Sequence, residues 1–326
     1  MKTARTVMIK EYGGPEEMIV ANVELQLPAA GEVQLRQTAI GFNYIDVYQR
    51  KGIYPLPLPT GLGHEAAGIV EAVGPGVLQF KPGDRVAYMN AGVGAYADYR
   101  NVPADRLVRI PSGISDEQAA AMLFKGMTAQ YLLKKTHAVK SGEIILVHAA
   151  AGGVGQILCR WAKGLGAFVI GTAGSEEKCA IARKAGCDIA INYSEGNWLN
   201  SLLDATGGKK ANVVYDSVGK DTFLKSLECT EQFGLVVLYG AASGPAPAIE
   251  PDLLNKKGCL FLTRPSLFPH NADPVVFSEN AADLFNAISA GLVTSGIGTR
   301  FALDNIAAAH AAAESRATHG AIVIIP

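Results

Sequence analysis

The 326-residue chain has no cysteine before Cys159. The five it contains, Cys159, Cys179, Cys187, Cys229 and Cys259, are an odd number and form no C-x-x-C. They fit free thiols in a reducing compartment better than a disulfide framework or a thiolate zinc site. An excess of charge of one sign is also missing: 29 Lys and Arg face 30 Asp and Glu, a net charge of −1. Without a bulk positive field neither a membrane surface nor a nucleic acid is expected as partner, and a small molecule is the default. Low hydrophobicity, a strict glycine period and a proline bias are all absent, since 49% of residues are hydrophobic, 18% charged, and 36 Gly accompany 16 Pro. Disordered and fibrous classes are thereby excluded. No apolar run approaches the roughly 20 residues of a membrane span. The opening Met1-Lys2-Thr3-Ala4-Arg5 reaches Lys10-Glu11 before a signal core can form, so a cytoplasmic location is expected. Hydrolase motifs are lacking too. There is no G-x-S-x-G, His64-Glu65 has no second histidine of H-E-x-x-H, and Gly207-Gly208-Lys209-Lys210 has neither the earlier glycine nor the Ser/Thr of a phosphate loop.

The length suggests about two domains. Up to about residue 110, short strands alternate with turns such as Gly13-Gly14-Pro15, Gly74-Pro75-Gly76 and Lys81-Pro82-Gly83-Asp84, which predicts a β-rich unit. Ser115-Asp116-Glu117-Gln118 is a capping box, and the apolar positions after it predict a helix broken near Gly126. From Glu143 strands alternate with helices through Gly240, the pattern of an α/β doubly wound parallel sheet. Beyond Pro265 the spacing predicts a helix over Ala281–Ala290, another after Asp304 and a final strand Ala321–Ile325 that returns to the first domain.

The strongest local signal is the strand Ile144–His148 running into Ala149-Ala150-Ala151-Gly152-Gly153-Val154-Gly155. As a dinucleotide fingerprint it reads A-x-G-x-x-G. Ala150 stands for the first glycine, Gly152 admits the pyrophosphate to the backbone, and Gly155 allows close helix–strand packing. The helix N-terminus beyond offers N–H donors to the phosphates. An NAD site places a carboxylate roughly 20 residues on, at the end of the second strand. Here that end reads Gly171-Thr172-Ala173-Gly174-Ser175, followed by Lys178. A hydroxyl and an ammonium suit a 2′-phosphate, which favours NADPH. The rival reading has Glu176 or Glu177 holding the ribose with Lys178 on a solvated face.

Gly63-His64-Glu65-Ala66-Ala67-Gly68, continuing to Gly74 and Val77, has the pattern G-H-E-x-x-G-x5-G-x2-V. Together with the nucleotide fold it resembles the medium-chain dehydrogenase/reductase superfamily. Asn43-Tyr44-Ile45-Asp46, Tyr54-Pro55, Ala149–Gly155, Tyr215-Asp216-Ser217-Val218-Gly219 and Thr263-Arg264-Pro265-Ser266 resemble its quinone oxidoreductase, zeta-crystallin-like branch. The resemblance covers essentially the whole chain. It implies a GroES-like catalytic domain over 1–126 and 266–326, a Rossmann NADPH-binding domain over 127–265, and a homodimer. The cofactor set it implies is Asn43, Asp46, Thr128, Ala150, Gly152, Gly153, Val154, Gly155, Gly174, Ser175, Lys178, Tyr193, Ser217, Tyr239, Gly240, Leu262, Thr263 and Arg316. In it Thr128, Tyr239-Gly240 and Leu262-Thr263 lie by the nicotinamide, Tyr193 by the adenine or its phosphate, and Arg316 at the 2′-phosphate.

In the zinc alcohol dehydrogenases of this superfamily the G-H-E histidine shares catalytic zinc with two cysteines. This chain keeps His64 but has Asn43 and Lys125 at the cysteine positions, and both are poor zinc ligands. No metal is expected. Ketone reduction without a Lewis acid needs a strong proton donor, whereas hydride delivery to a quinone yields a delocalised phenolate. Asn43, Tyr48, Tyr54 and Arg264 are the expected catalytic set, lining and polarising a small-molecule quinone. The other readings are an NADPH-dependent enone or alkenal double-bond reductase, and a cofactor-binding protein with a structural or RNA-binding role.

Overall fold

The computed structural model describes residues 2–196, 198–294, 296–315 and 318–326. The chain folds as two compact units. One comprises Met1–Met127, Asn271–Ser289 and Ser295–Pro326, and the other Thr128–His270 with Ala290–Thr294.

The first unit is built on a long central strand, Glu32–Gly41, which pairs antiparallel with Glu65–Val73, Tyr99–Pro103 and the C-terminal strand Ala321–Ile325. The tail therefore does return to the N-terminal strands. Ile297–Ala302 pairs parallel with it, while Arg85–Met89 and Leu107–Arg109 extend the other edge. A second, three-stranded sheet holds Ile19–Leu25, Lys2–Ile9 and Thr60–Gly61. Alternation sends Val33, Leu35, Val70, Val86, Tyr88, Ile322 and Ile324 into one core, which the helix Ile306–Glu314 closes with Ala309 and Ala313.

In the second unit six strands are all parallel, in the order Ile189–Asn192, Phe168–Ala173, Ile144–Val147, Ala211–Asp216, Thr230–Leu238, Phe261–Thr263. In chain order this is 3-2-1-4-5-6, the doubly wound arrangement whose ligands bind beyond the carboxyl ends of the strands. Helices cover both faces, so the strands read as nearly unbroken apolar runs; Leu146, Ile170, Ile191 and Val214 pack on Trp198 and Leu202.

Two expectations need correction. The helix predicted to break near Gly126 runs unbroken over Asp116–Tyr131 and then widens into a π-helical turn, Leu132–Thr136. Gly126 is there for contact: a Cβ would sit 2.5 Å from Leu284 Cδ1. The helix expected over Ala281–Ala290 begins two turns earlier and covers Pro274–Ser289. Asp273 Oδ1 accepts from the N–H groups of Val275 (2.7 Å) and Val276 (3.2 Å), and Pro274 needs no N–H partner at the first helical position. The capping box at the start of Asp116–Tyr131 forms as expected, with Gln118 N donating to Ser115 Oγ and Ser115 N to Gln118 Oε1.

Candidate active site

The first strand of the parallel sheet ends in a tight turn that delivers the chain to the helix Gly153–Gly164. Ala149 takes φ +52°, a left-handed conformation that is costly for a residue with a Cβ, and Gly152 N closes the turn on Ala149 O at 2.9 Å. Gly155 is required by packing: a Cβ would lie 2.3 Å from Ala149 O and 2.8 Å from Ala150 Cα. The helix thus starts against the strand end, and Gly152, Gly153 and Val154 remain partly exposed where N–H groups can meet a phosphate.

The second strand runs to Ala173, and Ser175 caps the helix Glu176–Lys184 by accepting from Lys178 N at 3.3 Å. Lys178 is partly buried and belongs to the first turn of that helix. Glu176 is exposed, and its Oε1 accepts from Arg183 Nη1 at 2.6 Å on the helix surface. Tyr193 places its hydroxyl against Gly174. Ser217 follows the fourth strand. The fifth strand is followed by Tyr239 and Gly240, whose N–H groups donate to Asp216 O at 2.8 and 3.3 Å. Leu262 and Thr263 close the edge strand, and Arg264 Nη1 donates to Leu238 O (3.3 Å) and Gly240 O (3.4 Å). Thr128 is buried in the helix Asp116–Tyr131. Arg316 lies outside the described residues. The second unit thus brings Ala150–Gly155, Gly174, Ser175, Lys178, Tyr193, Ser217, Tyr239, Gly240 and Thr263 to the carboxyl-end turns of one sheet.

In the first unit the G-H-E segment meets the helix Tyr44–Arg50 in a buried polar cluster. Asn43 Nδ2 donates to Glu65 Oε1 at 2.8 Å, and Phe124 N donates to Glu65 Oε2 at 2.6 Å. Lys125 Nζ donates to Phe42 O (2.7 Å), Asn43 Oδ1 (3.1 Å) and Glu65 Oε1 (3.3 Å), so three acceptors face an ammonium with three hydrogens. His64 Nε2 meets Gln49 Oε1 at 2.9 Å, and burial lowers the imidazole pKa to about 4, with Arg100 adding to the shift. Burial raises Glu65 above the usual carboxylate range, with Lys125 opposing it. Among the described residues no three His, Cys, Asp or Glu side chains gather as a metal site requires. Lys125 and Asn43 instead bind one another and Glu65.

Asp46 is enclosed. Its Oδ2 accepts from Asn43 N (2.9 Å) and Tyr96 OH (2.7 Å), capping the helix, and burial lifts its pKa to about 7. Tyr96 OH also lies 3.2 Å from His310 Nε2, and His310 Nδ1 faces the buried guanidinium of Arg50, which pairs with Glu314. Tyr44, Tyr48 and Tyr54 form an edge-to-face series with centroid separations of 5.2 and 5.3 Å, ending on Tyr54, which is 40% exposed. The Glu65–Lys125 pair was readable in part: a glutamate in an apolar strand and a lysine in an apolar helix each require a buried partner.

Comparison with known proteins agrees with these two units. The model of the alcohol dehydrogenase GroES-like domain matches residues 29–112, and that of the zinc-binding dehydrogenase matches residues 153–268. A quinone oxidoreductase of Pseudomonas aeruginosa is 46% identical over 324 residues, covering 99% of this chain and 100% of the relative. A 2-haloacrylate reductase of a Burkholderia species is 44% identical over 327 residues, covering 98% of each chain. The crystal structure of Escherichia coli quinone oxidoreductase complexed with NADPH superimposes with a TM-score of 0.96 at 45% identity, over 99% of this chain and 100% of that one. With full-length likeness at this identity, a 3-2-1-4-5-6 parallel sheet and the G-H-E strand in the other unit, the chain belongs to the quinone oxidoreductase family of the medium-chain dehydrogenases/reductases.

Proposed function

We propose that this chain is an NADPH-dependent quinone reductase that works without zinc. One quinone, one NADPH and one proton give hydroquinone and NADP+. The observation that carries the coenzyme assignment is the turn after the second strand. It presents Ser175, the start of a helix and Lys178, has no carboxylate at the strand end, and keeps Glu176 engaged with Arg183. An anionic 2′-phosphate is complementary to that turn, and a ribose diol has no carboxylate at the strand end to accept from its hydroxyls. When bound, NADPH supplies the hydride. The chain's contribution is to hold the dinucleotide on Ala150, Gly152, Gly153, Val154 and Gly155, and its adenosine end on Gly174, Ser175, Lys178, Tyr193 and Arg316. Thr128, Ser217, Tyr239, Gly240, Leu262 and Thr263 serve the nicotinamide half. Asn43, Tyr48, Tyr54 and Arg264 serve the acceptor, with Asp46 setting Asn43 through the helix cap.

Zinc independence is supported by Lys125. Its ammonium is bound to three acceptors at the position of a zinc cysteine, and a divalent cation there would face a like charge. A quinone needs no Lewis acid, because the charge it gains spreads over an aromatic ring. No helix among the described residues is long and apolar enough to cross a membrane. Five free cysteines fit a cytoplasmic protein, and the edge strand Phe261–Thr263, with Phe261 62% exposed, fits a homodimer interface.

The 44% identity to a 2-haloacrylate reductase favours a second reading, reduction of an activated carbon–carbon double bond. Initial rates with NADPH and NADH on benzoquinone, crotonaldehyde and 2-chloroacrylate separate the two. The expected result is kcat/KM at least tenfold higher with NADPH, and benzoquinone ahead of both alkenes. A tenfold preference for NADH overturns the coenzyme assignment, and an alkene outpacing benzoquinone establishes the second reading.

A further inference from the structure

His148 is a buried imidazole at the carboxyl end of the first strand of the parallel sheet, and none of the chemistry above uses it. Its Nδ1 lies 2.8 Å from Thr172 Oγ1 on the neighbouring second strand, and its Nε2 lies 3.0 Å from Ser226 Oγ on the helix Phe223–Cys229. Ser226 Oγ donates to Asp216 Oδ2 at 2.8 Å, and Asp216 ends the fourth strand, on the other side of the first. Asp216 Oδ1 also accepts from Val218 N (2.9 Å) and Gly219 N (3.0 Å), and Thr222 Oγ1 lies 2.8 Å from both carboxylate oxygens.

The proton inventory gives this chain one direction. Ser226 has a single hydroxyl hydrogen and two acceptors for it, Asp216 Oδ2 at 2.8 Å and Thr222 O at 3.1 Å, so toward His148 it accepts. His148 therefore carries its proton on Nε2 and accepts from the Thr172 hydroxyl on Nδ1. Burial lowers the imidazole pKa and favours this neutral form, with Asp216 opposing.

The three strand ends joined in this way are followed by the three turns that carry the dinucleotide residues: Ala149–Gly155, Gly174–Ser175 and Ser217–Gly219. Backbone bonds follow the same path, with His148 N donating to Tyr215 O and Ala150 N to Thr172 O, both at 3.0 Å. Directly after His148 comes Ala149 at φ +52°. A left-handed residue with a Cβ persists only where its surroundings over-determine it, and the anchored His148 is its immediate neighbour.

We propose that His148, through Thr172 on one side and Ser226 and Asp216 on the other, is a positioning residue that holds the three dinucleotide-binding turns in register. The proposal rests on the NADPH reading above. It assigns the network to coenzyme affinity and gives it no contact with the acceptor.

The test uses the full-length enzyme and the variants His148→Phe, His148→Gln, Thr172→Val and Ser226→Ala. Leu202→Ala, in the core of the same unit but outside the network, serves as a packing control. NADPH Kd is measured by nicotinamide fluorescence, KM for benzoquinone at saturating NADPH, and stability by thermal melting. His148→Phe and Ser226→Ala are expected to raise NADPH Kd at least fivefold with benzoquinone KM within twofold. His148→Gln, whose amide supplies an NH2 donor group and a carbonyl acceptor, is expected to recover most of the affinity. Leu202→Ala is expected to lower Tm without moving Kd. Unchanged Kd in Ser226→Ala and Thr172→Val, the variants least disruptive to folding, overturns the proposal. So does a Kd shift that Leu202→Ala reproduces. A wild-type enzyme that does not bind NADPH overturns the proposed function and with it this inference, an outcome distinct from a binding wild type with unaffected variants.

Discussion

Lys125 Nζ lies 3.3 Å from Glu65 Oε1, and both side chains are buried. Two opposite charges out of water are tolerable together and costly apart, and removing one partner from such a pair costs about 3–5 kcal/mol. Lys125→Met strands the Glu65 carboxylate beside Asn43 and Phe124 N. The expected outcome is a large loss of Tm, with Glu65 taking up a proton to escape its charge. The double variant Lys125→Met/Glu65→Gln removes both charges and is expected to recover most of the loss. Thermal melts of the two single variants and the double variant check this, and equal additive losses would show that the two groups are not coupled.

The proposed coenzyme preference rests on a single turn. Lys178 stands in the first turn of the helix that Ser175 caps, so in the proposed binding mode an ammonium and a helix N-terminus would act together on the 2′-phosphate. Lys178→Ala is expected to raise KM for NADPH at least tenfold and to leave KM for NADH within twofold, because NADH carries no 2′-phosphate. Parallel losses with both coenzymes would place Lys178 on a solvated face, the alternative that the sequence leaves open.

Gly155 offers a test of the fingerprint itself. In Gly155→Ala the new Cβ meets Ala149 O at 2.3 Å, a backbone atom that cannot swing aside. The helix Gly153–Gly164 must then retreat from the strand end and carry its N–H groups away from the pyrophosphate position. NADPH Kd is expected to rise more than tenfold, with Tm lowered as well. Fluorescence titration and melting on the same preparation report both.

The parts of this molecule legible in the sequence are those fixed by local chemistry. The A-x-G-x-x-G turn and the Ser115 capping box are each set within a few residues, and each is found in the structure. Helix onset at Pro274 was equally local, but its signal is the Asp273-Pro274 pair, and an amphipathic pattern alone places the start later. What stayed hidden depends on residues distant in the chain. His148 and Ser226 are 78 positions apart, and Arg50 and His310 are 260 apart. A lone histidine in an apolar stretch reads as core until the sheet order places strands one, two and four side by side.

The buried cluster around the G-H-E segment also dictates a pH response. His64, at about 4, and His310, at about 3, are held below the ordinary imidazole value by burial, so the unfolded chain binds their protons first as pH falls through about 6.5. Their contribution to stability is present above pH 6.5 and is lost as pH falls toward 4. Asp46 has the opposite sign. With a folded pKa near 7 and an ordinary carboxylate value when unfolded, its contribution is present at pH 4 and is lost as pH rises to 7. Each group contributes ~1.4 kcal/mol per pH unit across its window, so Asp46 offsets one of the two histidines and a net slope of about one group remains where the windows overlap. Asp46→Asn removes the compensating slope, and that variant is expected to lose Tm more steeply than wild type as pH falls from 6.5 to 4. His64→Gln is expected to do the reverse. Melting curves at half-unit pH steps decide the matter: parallel profiles for all three proteins would mean that these groups titrate alike in the folded and unfolded states.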